Sequence, residues 1–311
     1  MIFTDYGRMT KQPTHATHLY PEGWTDYRLL DSGQGLKLEQ FGRYRFIRPE
    51  PQALWKKFLP EAEWAAADGV FTAGNADEKG RWQLSDKLPA SWPMEFEGIT
   101  FTALPTPFRH LGFFPEQSPH WQWTAEKIMY FTARYKRAPR LLNLFAYSGV
   151  ASLHAAAAGA EVTHLDASKK AVAQAFDNRA LSSLEDAPIR FITDDAMCFV
   201  AREKRRRNHY DGILLDPPKY GRGPKGEVWQ INEHLPELLA GCRALLSEEP
   251  LLFVATVYAI RTSITAVHSA VADVLDGLGG EIHSGELTLR EDRKSGRTIG
   301  QALYVRWAAE R

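Results

Sequence analysis

"LLNLFAYSGVASLHAAAAGAEVTHLDAS", residues 141–168, decides the fold. Leu141-Leu142-Asn143-Leu144-Phe145 reads as a buried strand. "VASLHAAAAG" is a strong helix former ending at Gly159, and "EVTHLDAS" is the next strand. Downstream, "KKAVAQAFDNRALSS", "MCFVAREKRRRN", "NEHLPELLAGCRALL" and "SITAVHSAVADVLDGLG" read as helices. They alternate with the strand patterns "IRFITDDA", "YDGILLDPP" and "PLLFVATVYA". A helix-like "WTAEKIMYFTARYKR" precedes the series, and two strand-like segments, "EIHSGELTL" and "IGQALYVRW", close it. Strands alternating with helices predict an α/β fold with a doubly wound, mostly parallel sheet. Ligands of such sheets bind at the carboxyl ends of the strands.

The totals bound the class. The chain has 311 residues, 44% apolar and 24% charged, ordinary for a globular protein with a large core and two domains. No apolar run reaches membrane-spanning length, and "MIFTDYGRMTKQ" lacks an apolar targeting core. Two cysteines, Cys198 and Cys242, make neither a disulfide framework nor a metal cluster. The expectation is a reduced, cytoplasmic protein with no membrane and no metal. Net charge is zero, which argues against a chain coated in nucleic acid but leaves room for a local basic patch.

Residues 1–115 have a different character from 116–311. Trp24, Trp55, Trp64, Trp82, Trp92, Trp121 and Trp123 all precede residue 124. They fill a core or form an aromatic surface for stacking on bases. "YRLLDSGQGLKLEQFGRYRFIRPE" gives strands broken at glycines, and "PMEFEGITFTALP" a hairpin about Glu97-Gly98. "PEPQALWKKFL" starts like a helix. This predicts a smaller N-terminal α+β domain, with substrate recognition as its candidate role.

Three strand ends carry polar groups. The first runs into Ala146-Tyr147-Ser148-Gly149, the second ends at Asp166 and the fourth at Asp216. Asp166 lies 21 residues after Phe145, near the spacing of about 20 at which an acid meets ribose hydroxyls in dinucleotide folds. The turn has one glycine rather than three, which suits a ribose-bearing cofactor without a pyrophosphate, such as S-adenosylmethionine. "TDDAMCF" offers an acid for the adenine amino group, with Asp195 preferred over Asp194; a helix N-cap is the plainer account. In "LLDPPKYGRGP", residues 214–224, two prolines stop the strand at Asp216 and stiffen its exit. Asp216 and the proline carbonyls can orient a flipped base while Tyr220 stacks on it; an ordinary strand end is the bland alternative.

Together these residues resemble the class I S-adenosylmethionine-dependent methyltransferases, whose seven-stranded sheet is Rossmann-like. More narrowly, they resemble the bacterial 23S ribosomal RNA enzymes that modify cytosine-5 or guanine-7. The resemblance spans roughly residues 108–308 and rests on "LLNLFAYSGVASLHAAAAGA", "THLDAS", "TDDAMCF" and "DPPKYGRG", with "RHLGFFPEQ" as a cofactor-covering segment. It implies that Asn143, Phe145, Ala146, Tyr147, Ser148 and Gly149 serve the methionine part. Asp166, Ala167 and Ser168 would hold the ribose, Asp195 and Ala196 meet the adenine, and Phe114 and Gln117 lie above. Asp216, Pro217, Pro218, Lys219 and Tyr220 would form the catalytic turn.

The chain departs from this pattern in three ways. Cytosine-5 enzymes carry a nucleophilic cysteine after the fifth strand, whereas "FVATVYAIR" has none, and Cys198 and Cys242 fall in predicted helices. Carbon-5 chemistry needs such a thiolate and a nitrogen acceptor does not, so a nitrogen is expected. Ser118-Pro119-His120-Trp121 replaces an arginine-bearing lid segment. The extra N-terminal RNA-binding domain of some relatives is not expected here. The expected function is methyl transfer from S-adenosylmethionine to a base in RNA, ribosomal RNA by resemblance. The alternatives are a methyltransferase for a protein or small molecule, and an inactive cofactor- or RNA-binding module. "REKRRR", residues 202–207, with Lys219, Arg222 and Lys225, is either an RNA-facing patch or a solvated helix face.

Overall fold

The computed structural model describes residues 16–74, 80–258 and 261–310. The N-terminal stretch read for a targeting core therefore lies outside the described residues. The chain runs through β1 (Thr17–Leu19), β2 (Tyr27–Gly33), β3 (Leu36–Phe41), β4 (Tyr44–Pro49), α1 (Glu61–Ala65), β5 (Gly69–Ala73) and β6 (Gly80–Leu84). The hairpin β7 (Trp92–Phe96) and β8 (Ile99–Ala103) follows, then a 3₁₀ turn at Pro115–Gln117 and α2 (Ser118–Tyr135). The alternating series is β9 (Arg140–Leu144), α3 (Val150–Ala157), β10 (Glu161–Asp166), α4 (Lys169–Leu181), β11 (Ile189–Thr193), α5 (Ala196–Arg206) and β12 (Gly212–Leu215). It continues through β13 (Tyr220–Arg222), β14 (Val228–Gln230), α6 (Ile231–Leu245), β15 (Leu252–Tyr258), α7 (Ile264–Leu275), β16 (Glu281–Arg290) and β17 (Thr298–Ala308).

The large sheet has the order β1-β16-β17-β15-β12-β9-β10-β11. Only the pairings made by β17 are antiparallel. The sheet is doubly wound as expected but has eight strands rather than seven, because Thr17–Leu19 adds in parallel to Gly285–Leu287 at its edge. Its central strands β9, β12 and β15 read as nearly continuous apolar runs because both faces are covered. Leu142, Ile213, Leu215, Phe253 and Ala255 pack into one core cluster; Leu141, Leu214, Leu252 and Val254 pack into another. Successive side chains point to opposite faces, so each run feeds two cores, at about 1.5–3 kcal/mol per fully buried leucine. No helix among the described residues is long and apolar enough to cross a membrane.

The chain leaves β9 toward β10 and β11, then returns to β12 on the other side of β9. That reversal opens a crevice at the carboxyl ends of β9, β10 and β12, as in open α/β sheets generally.

The N-terminal region holds a five-stranded sheet, β2 to β6, and the β7–β8 hairpin. Glu97 and Gly98 both take positive φ, which fits the expected two-residue hairpin loop. No helix forms at "PEPQALWKKFL". The backbone N–H groups of Phe58 and Leu59 donate to Asp31 Oδ2 at 2.9 and 2.8 Å, and Trp55 Nε1 donates to the Ser32 carbonyl at 3.0 Å. These bonds hold the segment as an irregular strap along β2, overriding its local preference. The tryptophans form no open stacking surface. Trp64, Trp92 and Trp121 are buried, Trp24 stacks on Phe96 at 4.4 Å, and Trp55, Trp82 and Trp123 are half-buried.

Candidate active site

The turn after β9 is tied to the end of β10. Ala146 N–H donates to the Leu165 carbonyl at 3.0 Å, and Tyr147 N–H to Asp166 Oδ2 at 2.9 Å. Asp166 Oδ1 accepts from Ser168 N–H at 2.8 Å. Burial raises the pKa of Asp166, against the lowering effect of these amides. The helix cap here is Ser168, whose hydroxyl accepts from Ala171, and not the acid. A carboxylate has about four acceptor positions. Asp166 therefore keeps acceptor capacity for a diol while anchoring the turn.

The turn needs more than its single glycine. Phe145, Tyr147 and Gly149 all take positive φ, at 56°, 47° and 86°. A Cβ on Gly149 would lie 2.7 Å from the Ala175 Cβ, so this position also sets the approach of α3 to α4. Two non-glycine residues in a left-handed conformation store strain beside the crevice.

Asp195 caps α5, its Oδ1 accepting from Cys198 N–H at 2.9 Å. Its neighbour Asp194 pairs with Arg202 at 2.6 Å.

At the end of β12, Asp216 Oδ2 accepts from the Gln117 amide at 2.8 Å, while the buried Oδ1 has no partner. Burial, and secondarily the nearby Glu116 carboxyl, push the Asp216 pKa up to about 8. The following prolines are clamped, since Trp229 Nε1 donates to the Pro218 carbonyl at 2.6 Å. Trp229 also packs on Phe145 at 5.1 Å, coupling this turn to the one after β9. The β13–β14 hairpin then holds Tyr220, half its surface exposed, at the rim.

A cavity of about 420 Å³ joins these pieces. It is lined by Phe114, Phe145, Tyr147, Asp166, Ala167, Ser168, Asp195, Ala196 and the whole run from Asp216 to Tyr220. Five expected residues do not line it. Ala146, Ser148 and Gly149 build the turn behind the wall, where the Ser148 carbonyl accepts from Asn178. Asn143 is turned into the core, donating to Ser152 Oγ at 2.9 Å. Gln117 serves Asp216 rather than the cavity wall. In the "REKRRR" run, Arg202 reaches the cavity rim by pairing with Asp194 at 2.6 Å, whereas Lys204, Arg205 and Arg206 end α5, up to about 15 Å of helix from its cavity-facing start.

Sequence reasoning missed Lys37, Arg48 and Tyr258, which also line the cavity, and did not single out Arg109, His110 and Glu116 within the covering segment "RHLGFFPEQ", which line it too. Arg48 bonds Glu39 through both Nε and an Nη, at 2.6 and 2.7 Å; Lys37 Nζ meets Gln301 at 2.8 Å and Glu50 at 3.5 Å. Lys37 and Arg48 face each other across β3 and β4. The alternation Tyr44, Phe46, Arg48 puts the arginine on the buried face, a readable signal.

The sheet order and its acidic rim define a doubly wound protein built for a nucleoside cofactor without a pyrophosphate. Residues 122–239 match the family described as Conserved hypothetical protein 95. The chain is 46% identical to the SAM-dependent methyltransferase of Agrobacterium tumefaciens, with a TM-score of 0.91 covering 100% of this chain and 99% of that one. It belongs to the S-adenosylmethionine-dependent methyltransferases. It is also similar to the ribosomal RNA large subunit methyltransferase K/L of Marinobacter nauticus, 35% identical over 129 residues, covering 40% of this chain and 18% of that one. The protein of the same name from Shewanella frigidimarina is 33% identical over 141 residues, covering 44% and 20%. The chain thus spans about a fifth of the length of these curated relatives.

Proposed function

We propose that this chain methylates a base in RNA, ribosomal RNA in particular, at a nitrogen rather than at carbon-5. The observation that carries the reading is that Asp166 and Asp216, from strands on opposite sides of β9, open on one cavity. The residues fit S-adenosylmethionine. Asp166 has acceptor capacity for a ribose diol, Asp195 and Ala196 lie beside it for the adenine, and the one-glycine turn suits a cofactor lacking a pyrophosphate. When bound, the cofactor supplies a methyl group already activated by its sulfonium.

What remains for the protein is to bring the acceptor within reach and aligned. At neutral pH Asp216 carries its proton, and its unpartnered Oδ1 is positioned to hydrogen-bond the acceptor base. Tyr220 offers a stacking face at the rim, with Lys219 and Arg222 beside it for phosphate. Nitrogen is favoured because Cys198 is exposed on α5, Cys242 is buried in α6, and neither lines the cavity. Residues 1–115, apart from β1 at the edge of the large sheet, form the domain that walls the cavity through Lys37 and Arg48; residues 116–311 form the catalytic domain.

The test is nucleoside mass spectrometry of ribosomal RNA from cells with and without the gene. A methylated nucleoside that disappears, and returns with the wild-type chain but not with Asp216→Ala, is the expected result. An unchanged set of nucleosides would overturn the RNA reading and favour a protein or small-molecule acceptor.

A further inference from the structure

Aromatic rings line the cavity between its two acidic rims. His110 lies 5.1 Å from Phe114 and 5.3 Å from Tyr147, centroid to centroid. Phe114 lies 6.0 Å from Tyr147 and 5.4 Å from Tyr258. All four are half-buried cavity residues rather than core. Tyr147 is fixed at the Asp166 end, since its own N–H bonds that carboxylate. Tyr258 is at the Asp216 end, since it closes β15, which pairs in parallel with β12, the strand that runs into Asp216. Phe114 therefore spans the gap between the ribose acid and the acceptor acid.

That gap is where a sulfonium must lie, because this one atom carries both the ribose C5′ and the methyl to be transferred. We propose that Phe114, Tyr147 and His110 form an aromatic cage for the sulfonium, which selects the charged donor over its neutral thioether product. The proposal rests on the cofactor reading above. Ring faces carry negative electrostatic potential and attract a desolvated cation, as in aromatic cages for quaternary ammonium groups.

The surroundings leave this task to the rings. Burial raises the pKa of Glu116, and raises that of Asp216 to about 8, so Asp216 offers no full negative charge at neutral pH. The charges of Arg48 and Lys37 are matched by Glu39 and Glu50. Burial, with Arg48 and Arg109 adding to it, holds His110 down at about 3, so its ring enters the cage neutral. Phe108, stacked on His110 at 5.8 Å and 12°, backs that ring. A cage that loosens once the positive charge is gone also favours release of the product.

The test is titration calorimetry of the full chain with S-adenosylmethionine and, separately, S-adenosylhomocysteine. Phe114→Leu is expected to weaken the donor about threefold to thirtyfold, with the thioether changed less than about twofold. Pentafluorophenylalanine at position 114 keeps the ring's shape and reverses its electrostatics, so it serves if the leucine variant does not fold; the same selective loss is expected. Equal weakening of both ligands, or of neither, would overturn the cage and leave the cofactor reading standing. A wild-type chain that binds neither ligand overturns both.

Discussion

β12 is flanked by two aspartates, and the two ends are treated in opposite ways. Asp211, just before the strand, is satisfied throughout. Arg137 bonds both of its oxygens at 2.7 and 2.9 Å, Arg140 N–H reaches it at 2.8 Å and Ser247 Oγ at 2.9 Å. Burial opposes ionisation there, but these donors outweigh it and hold the pKa below the usual carboxylate range. Asp216, just after the strand, has one donor, one orphaned oxygen and a pKa raised to about 8. One rim of the sheet is closed by its own hydrogen bonds and the other is left open for a ligand. A buried polar atom without a partner costs roughly 1–3 kcal/mol, so the open rim is kept at the expense of stability.

The contrast is broken most sharply at Asp216. Asp216→Ala should lower kcat by about a hundredfold or more through loss of acceptor orientation, with donor affinity changed only a few-fold. Turnover within a few-fold of wild type would remove Asp216 from the machinery. Asp166→Ala should act the other way, weakening donor binding about tenfold to a hundredfold, as expected when charge-assisted hydrogen bonds are lost. Unchanged donor affinity in calorimetry would reject its role.

At the closed rim the loss should be structural. Asp211→Ala should cost on the order of 2–3 kcal/mol, after discounting for the half-exposed Arg137. That is a fall of several degrees in Tm, with kcat of the surviving enzyme intact. A Tm within a degree of wild type would make Asp211 an ordinary surface acid.

The smallest effect is a pH dependence. Between pH 4 and pH 8 the unfolded chain has released the Asp216 proton while the folded chain keeps it, so this group's contribution to stability falls as pH rises through that window. Asp216→Asn removes the loss and should gain a few degrees over wild type at pH 8 relative to pH 5. Parallel melting curves at both pH values would contradict the raised pKa.

Legibility in the sequence followed the same division. β9 and β12 could be read because burial on both faces makes them nearly continuous apolar runs, and β10 and β11 because they alternate with helices, although the edge strand β11 has no buried residue. Asp166 and Asp216 could be placed because strand ends in such a sheet converge. The β13–β14 hairpin could not, since its strands have three residues each and "KYGRGPKGEVWQ" has no apolar alternation. Nor could β1, whose partner lies more than 260 residues away. The helix expected near Trp55 failed because a tertiary acceptor, Asp31, took its backbone donors. Lys37 and Arg48 were hidden by sequence distance; alternation along β4 could have placed Arg48 inward, but Leu36 and Leu38 on β3 would have put Lys37 on the outer face.

One crystal structure with S-adenosylhomocysteine bound tests the central claim most directly. The ribose hydroxyls should hydrogen-bond the Asp166 carboxylate, with the sulfur among Phe114, Tyr147 and His110 and turned toward Asp216. A ligand lodged outside this cavity, or a ribose out of hydrogen-bond reach of Asp166, would contradict it.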